Sequence, residues 1–314
     1  MRIGVITGTV NLSRTSSSQS QSVQAYTANT DYGRFPLLQI TMGEHTVFFA
    51  NRHWGEGSSG SRIHLLPHQI DYRQVVQALY QANCKAIISV SATGRLSEDA
   101  LPGRFVIPED FCSTGLARID TFAVLGLVEH PAIPQPVNSQ LADCVSSAWE
   151  EKVKSHAETV YGDHDKAGLL TPGLIKGGHY RTINGPRFAR PPEEEVYRSV
   201  SGAKVIGMCA DPEFCLAAEA GIPYVLIAAV TDHSHYPGAP SVEHSAVLSA
   251  ARNMEPVVIK LLEETIKRIP ASLSPQQGIG LHSMMDVEKI NIIKISAKKR
   301  PVLLHMVEKE LKQV

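Results

Sequence analysis

Through the first 270 residues, short apolar runs of strand length alternate with longer amphipathic stretches. The runs stand at 2–6, 37–42, 46–50, 85–90, 104–107, 178–183, 204–208 and 223–230. Between them, Val75, Val76, Leu79 and Tyr80 fall at helical spacing within 71–83, and Leu and Ala do the same within 212–220 and 243–267. Strands that alternate with helices in this way predict an α/β protein built on a sheet, not a sandwich. The segment after Pro270 changes character, with a polar link, a short isoleucine-rich run and a lysine-rich tail, and reads as an appendage over 271–314.

Of the 314 residues, 43% are hydrophobic and 19% charged, which is ordinary globular usage and excludes a disordered chain. Lys and Arg number 30 against 31 Asp and Glu. With no basic excess to hold a phosphate backbone or an acidic bilayer, no nucleic-acid or membrane partner is expected. The five cysteines contain no C-x-x-C pair, and no apolar stretch reaches 18 residues, so a reducing, cytoplasmic setting is expected.

Chemistry-bearing residues collect where the predicted strands end, the place where open α/β sheets bind ligands. The first strand runs into Thr7-Gly8-Thr9, with small residues and a hydroxyl suited to an anion. The third runs into Asn51-Arg52-His53, a permanent cation beside an imidazole, and then into the Gly/Ser stretch 55–62. The run 85–90 leads into Ser91-Ala92-Thr93-Gly94, read as a turn offering hydroxyls and backbone donors without bulk. Phe188 follows a Gly-Pro corner, suited either to stacking on a planar ring or to core packing. The apolar run 223–230 ends in Thr231-Asp232-His233-Ser234-His235, where a carboxylate can accept from an amine or share a proton with a ring nitrogen. His233 and His235 lack a third nearby ligand, so no metal is expected.

The ordered set Pro67-His68-Gln69-Ile70-Asp71-Tyr72-Arg73, Ser91-Ala92-Thr93-Gly94, Thr182 to Phe188, and Gly202-Ala203 through Met208 and Pro212-Glu213 to Glu219-Ala220-Gly221-Ile222 resembles the trimeric purine nucleoside phosphorylases, most closely their methylthioadenosine branch. The resemblance covers residues 1–270 and implies a single nucleoside phosphorylase domain with a central mixed, twisted sheet flanked by helices. It implies phosphate-dependent cleavage of a 6-aminopurine nucleoside, 5′-methylthioadenosine or adenosine, with inorganic phosphate as co-substrate and no cofactor. Alternatives are a 6-oxopurine phosphorylase and an inactive nucleoside-binding relative. By position, Thr9, Arg52, His53, Ser91, Ala92 and Cys209 would hold phosphate, with Cys209 where the family usually has Thr or Ser. Met208 would lie under the ribose, Phe188 on the base and Asp232 at the purine edge near N7 as the catalytic proton donor. Ser234 stands where the methylthioadenosine branch usually has a second aspartate, and Ala189 where 6-oxopurine enzymes place a glutamate. His244 would face the 5′ group, Val247 and Leu248 would line its pocket, and His130 would reach into a neighbouring subunit's site, which implies a homotrimer or a dimer of trimers.

Overall fold

A computed structural model describes residues 1–8, 23–56, 60–113, 116–123, 133–165, 168–239 and 241–274. In chain order the strands and helices are β1 (Arg2–Thr7), β2 (Gln24–Thr30), β3 (Gly33–Met42), β4 (His45–Asn51), β5 (Trp54–Glu56), β6 (Arg62–His64), α1 (Tyr72–Gln81), β7 (Ile87–Arg95), β8 (Arg104–Ile107) and β9 (Asp110–Ser113). There follow α2 (Ser139–Ala148), α3 (Lys154–His164), β10 (Gly173–Lys176), β11 (His179–Thr182), α4 (Pro191–Arg198), β12 (Ala203–Gly207), α5 (Ala210–Glu219), β13 (Tyr224–Asp232) and α6 (His244–Arg268).

Eleven of these strands form one mixed sheet, with β10-β8-β13-β7-β1-β4-β3-β2 in line and β12, β11 and β9 branching from β7. The α/β class is what the alternating pattern predicts, and the mixed sheet flanked by helices is what the resemblance implies. Central strands β1, β7 and β13 run parallel and are largely buried on both faces, which is why β1 and β13 read as nearly unbroken apolar runs. Side chains alternate between two cores. Ile3 and Val5 of β1 pack with Val257, Val258 and Leu261 of α6 and with Trp149, whereas Ile6 packs with Val75, Val76 and Leu79 of α1 and Leu216 of α5.

Helix α1 shows how local sequence fixes an element. Asp71 caps it by accepting from the Arg73 N–H at 3.1 Å, its apolar stripe faces the sheet, and Asn83 in the left-handed region at φ 60° ends it.

One expectation is corrected. Ser91-Ala92-Thr93-Gly94 is not a turn but the continuation of β7, held by β13 on one side through Ala228↔Ser91 and Asp232↔Gly94. On its other side β7 forks: β1 accompanies it as far as Ser89, and β12 joins it antiparallel at Gly94 and Arg95. Among the described residues, 90–93 therefore have no strand beside them on that side, and the sheet opens there. Of the expected appendage, everything beyond Ser274 lies outside the described residues.

Candidate active site

The opening in the sheet is one end of a cavity of about 280 Å³. Arg52, Ser91, Ala92 and Cys209 line it together with Met208, Phe188, Asp232, Ser234, His244, Val247 and Leu248. Arg52 and Asp232, which the sequence places 180 residues apart, thus face a single space. Thr9 and His130 lie outside the described residues.

Arg52 is almost fully buried, and most of its guanidinium is engaged by the protein. Nε donates to Glu213 Oε1 at 2.7 Å, Nη1 to the Val90 carbonyl at 2.9 Å and Nη2 to Ser89 Oγ at 2.7 Å. Glu213 is wholly buried and also accepts from Ser89 Oγ at 2.6 Å and Tyr224 OH at 3.1 Å. The cation is consequently rigid and aimed, not a loose surface charge. Gly8 marks where it points, because a Cβ built there would stand 3.0 Å from Arg52 Nη1 and 3.0 Å from His53 Nε2.

His53 does not line the cavity itself; it closes on Gly8 from behind His64, whose ring stacks on it at 4.5 Å and does line the cavity. Since the Leu65 carbonyl can only accept, His53 Nδ1, 2.7 Å away, carries the proton and donates. Burial, with Arg52 beside it, pulls the imidazole down to about 4, so near neutral pH Nε2 is a bare acceptor next to the guanidinium. Burial likewise pushes the Cys209 thiol up, against the pull of Arg52, and leaves a neutral S–H in the wall.

At the opposite wall, Asp232 ends β13. Its Oδ1 accepts from the Ser234 N–H at 2.8 Å and its Oδ2 from Thr231 Oγ1 at 3.0 Å. Burial raises its pKa despite those two donors. The carboxyl comes so close to β7 that a Cβ on Gly94 would stand 2.8 Å from Oδ1. Phe188 is half-buried on the loop between β11 and α4, and Arg118 ties that loop by donating to the Asn184 carbonyl at 2.9 Å and the Asp211 carbonyl at 2.5 Å. Buried Ala189 places no carboxylate beside it. His244 sits exposed at the start of α6, with half-buried Val247 and Leu248 one turn further in.

Sequence reasoning missed three contributors. Glu213 is hidden in a helix that reads as amphipathic, His64 lies on a short exposed strand, and Glu194 stands within Glu193-Glu194-Glu195 yet is 1% exposed and lines the cavity. The arrangement is an anion-holding end and a hydrogen-bonding end, joined by β7 and separated by an apolar waist of Met208, Ile206 and Phe188.

The chain is similar to several known proteins. S-methyl-5′-thioadenosine phosphorylase of Hyperthermus butylicus is 33% identical over 253 residues, spanning 80% of this chain and 83% of that protein. The protein of the same name from Saccharolobus solfataricus is 32% identical, spanning 88% and 92%. A methylthioadenosine phosphorylase sourced from an antarctic soil metagenomic library superposes with a TM-score of 0.65 at 26% identity over 84% of this chain and 85% of that one. The Schistosoma mansoni methylthioadenosine phosphorylase in complex with adenine shares the fold, with a TM-score of 0.71 at 24% identity over 92% and 96%. With a family model for the phosphorylase superfamily matching residues 2–267, the chain belongs to the phosphorylase superfamily.

Proposed function

We propose that this protein cleaves the N-glycosidic bond of 5′-methylthioadenosine with inorganic phosphate, giving adenine and 5-methylthioribose 1-phosphate. The observation that carries the reading is the presence of Arg52 and Asp232 at opposite ends of one cavity.

The reaction has an oxocarbenium-like transition state, with positive charge on the sugar and negative charge on the departing base. At the anion end, Arg52, Ser91 Oγ, the Ala92 backbone and the Cys209 S–H hold phosphate; Thr9 is assigned with them by resemblance. A phosphate oxygen forms the bond to C1′ as the bond from C1′ to N9 breaks, and the electron pair passes into the purine ring. His53 stands behind His64 and supports the anion end from there, its bare Nε2 against Gly8 beside Arg52. At the base end, Asp232 with its raised pKa gives a proton to N7. The base leaves with the Asp232 proton, the proton lost by the phosphate passes to water, and Asp232 regains one from water before the next turnover, so the sum balances. Preorganised donors at both ends supply the electrostatic stabilisation, and no cofactor enters the scheme.

Met208 packs under the ribose and Phe188 against the base. Val247 and Leu248 suit a methylthio group, while His244 at the rim adds a donor that suits a 5′-hydroxyl. A homotrimer in which His130 completes a neighbouring site belongs to the same proposal, and light scattering in solution tests it.

The decisive assay follows adenine release from methylthioadenosine and adenosine, and hypoxanthine release from methylthioinosine and inosine, with and without phosphate. Release from methylthioadenosine that requires phosphate is expected. Equal rates without phosphate would identify a hydrolase, and ligand-induced thermal stabilisation without turnover would identify an inactive binder.

A further inference from the structure

Among three consecutive glutamates, Glu194 alone is buried. A carboxylate is costly to bury unless its oxygens are satisfied. Those of Glu194 accept from Ser234 Oγ on one side, and on the other from the His235 N–H at 2.8 Å, with Arg198 Nη1 3.3 Å away. Ser234 in turn gives its backbone N–H to Asp232. Three side chains therefore form one connected edge of the cavity: Asp232 at the end of β13, Ser234 in the loop after it and, behind them, Glu194 from α4.

A serine hydroxyl has one proton and two lone pairs. With that proton given to Glu194, Ser234 Oγ offers the cavity only lone pairs. We propose that Glu194 is a specificity-determining residue: it fixes Ser234 as an acceptor and thereby selects a purine that carries a hydrogen-bond donor at C6, an amino group, over one that carries a carbonyl. The inference rests on the phosphorylase reading above and deepens it. An exocyclic N–H meets the Oγ lone pair, whereas a 6-oxo group sets oxygen against oxygen with no proton between them, and a buried unpaired acceptor is costly. Glu194 also supplies the negative charge that Ser234 itself lacks, without standing at the base edge.

Glu194→Gln reverses this polarity at nearly constant shape. The His235 N–H and the Arg198 guanidinium both donate toward Oε2, so the amide oxygen keeps that side and the amide NH₂ turns to Ser234. It donates to Oγ, and the serine proton swings into the cavity, where it can serve a 6-oxo group. The ratio of kcat/KM for methylthioadenosine to that for methylthioinosine is expected to fall at least about tenfold in E194Q, with an absolute gain on the 6-oxo substrate. Ser234→Ala, which removes the acceptor, is expected to lower the same ratio, and adding E194Q to it changes the ratio no further.

Calorimetric affinities for adenine and hypoxanthine give the same comparison without turnover. A ratio that stays within about twofold of wild type in both single variants overturns the proposal; should E194Q fail to fold, the ratio in S234A decides alone. Wild-type protein without phosphate-dependent cleavage would instead sink the phosphorylase reading, leaving the affinity ratios to decide on Glu194.

Discussion

Arg52 Nε lies 2.7 Å from Glu213 Oε1, and neither residue is more than 2% exposed. The pair is a mount for the anion end of the cavity. Charge that would otherwise have to be desolvated on its own is balanced by a buried carboxylate that does not line the cavity.

Glu213→Gln is therefore expected to act twice. It leaves a buried guanidinium without its counter-charge and costs about 3–5 kcal/mol of stability, read by urea unfolding. It also loosens the aim of Arg52, so the KM for phosphate rises while the KM for nucleoside at saturating phosphate moves little. Equal increases in both would show Glu213 to be a general structural support.

Asp232 carries a pKa raised mainly by burial, with two donors opposing and Glu194 adding to the rise. Its folded pKa lies above its unfolded one, so its contribution favours folding at low pH and is lost as pH rises through the folded value. Asp232→Asn removes this dependence. The Tm of the variant minus that of wild type is expected to grow from pH 4 toward pH 8, while turnover on methylthioadenosine falls about 10²-fold or more. The loss should be smaller on 6-oxopurine nucleosides, because an amide still donates but no longer accepts in full from an amine. A flat Tm difference would remove the buried-carboxyl account.

For His53 the sign is opposite. Burial and Arg52 draw its pKa from 6.5 to about 4, so the neutral ring stabilises the fold above the unfolded pKa, and that contribution is lost as pH falls through the folded value. Between pH 7 and pH 4 the loss is at most about 3 kcal/mol. His53→Asn should flatten this part of the stability-against-pH curve and raise the KM for phosphate. An unchanged curve would mean that the ring titrates normally.

His244→Val is expected to shift preference from adenosine toward methylthioadenosine by about 1–3 kcal/mol in kcat/KM, because a donor at the rim serves a hydroxyl and not a thioether. An unchanged ratio would place the 5′ group away from α6.

Much of this site is legible in the sequence because its residues stand at the ends of apolar runs. Arg52 follows β4 and Asp232 ends β13, and a parallel sheet gathers such ends on one edge. The rest depends on distances along the fold. Small residues and a glycine make 91–94 look like a turn, but pairing to β13 over-rides that local preference and keeps the segment extended. Glu194 reads as one of several solvated charges at a helix start, and only burial against Ser234 distinguishes it. His53 is separated from the cavity by a residue eleven positions later, His64, which β5 and β6 fold over it as a hairpin. Strands β2, β5, β6, β9 and β10 and helices α2, α3 and α4 are not read from the sequence: the strands are short or only partly buried, α3 and α4 bury little, and α2, though it carries Leu141, Ala142, Val145 and Ala148 at helical spacing, lies between stretches with no strand signal.

The fork in β7 makes that strand a ruler. Ser91 at the anion end and Gly94 beneath the carboxyl of Asp232 are three residues apart on one extended backbone, about 10 Å along the chain. The spacing between the two ends of the cavity is thus written in covalent geometry and does not depend on how the surrounding loops settle. Deleting or inserting a single residue between them would throw the alternating side chains onto the wrong faces and separate the two halves of the chemistry at a stroke.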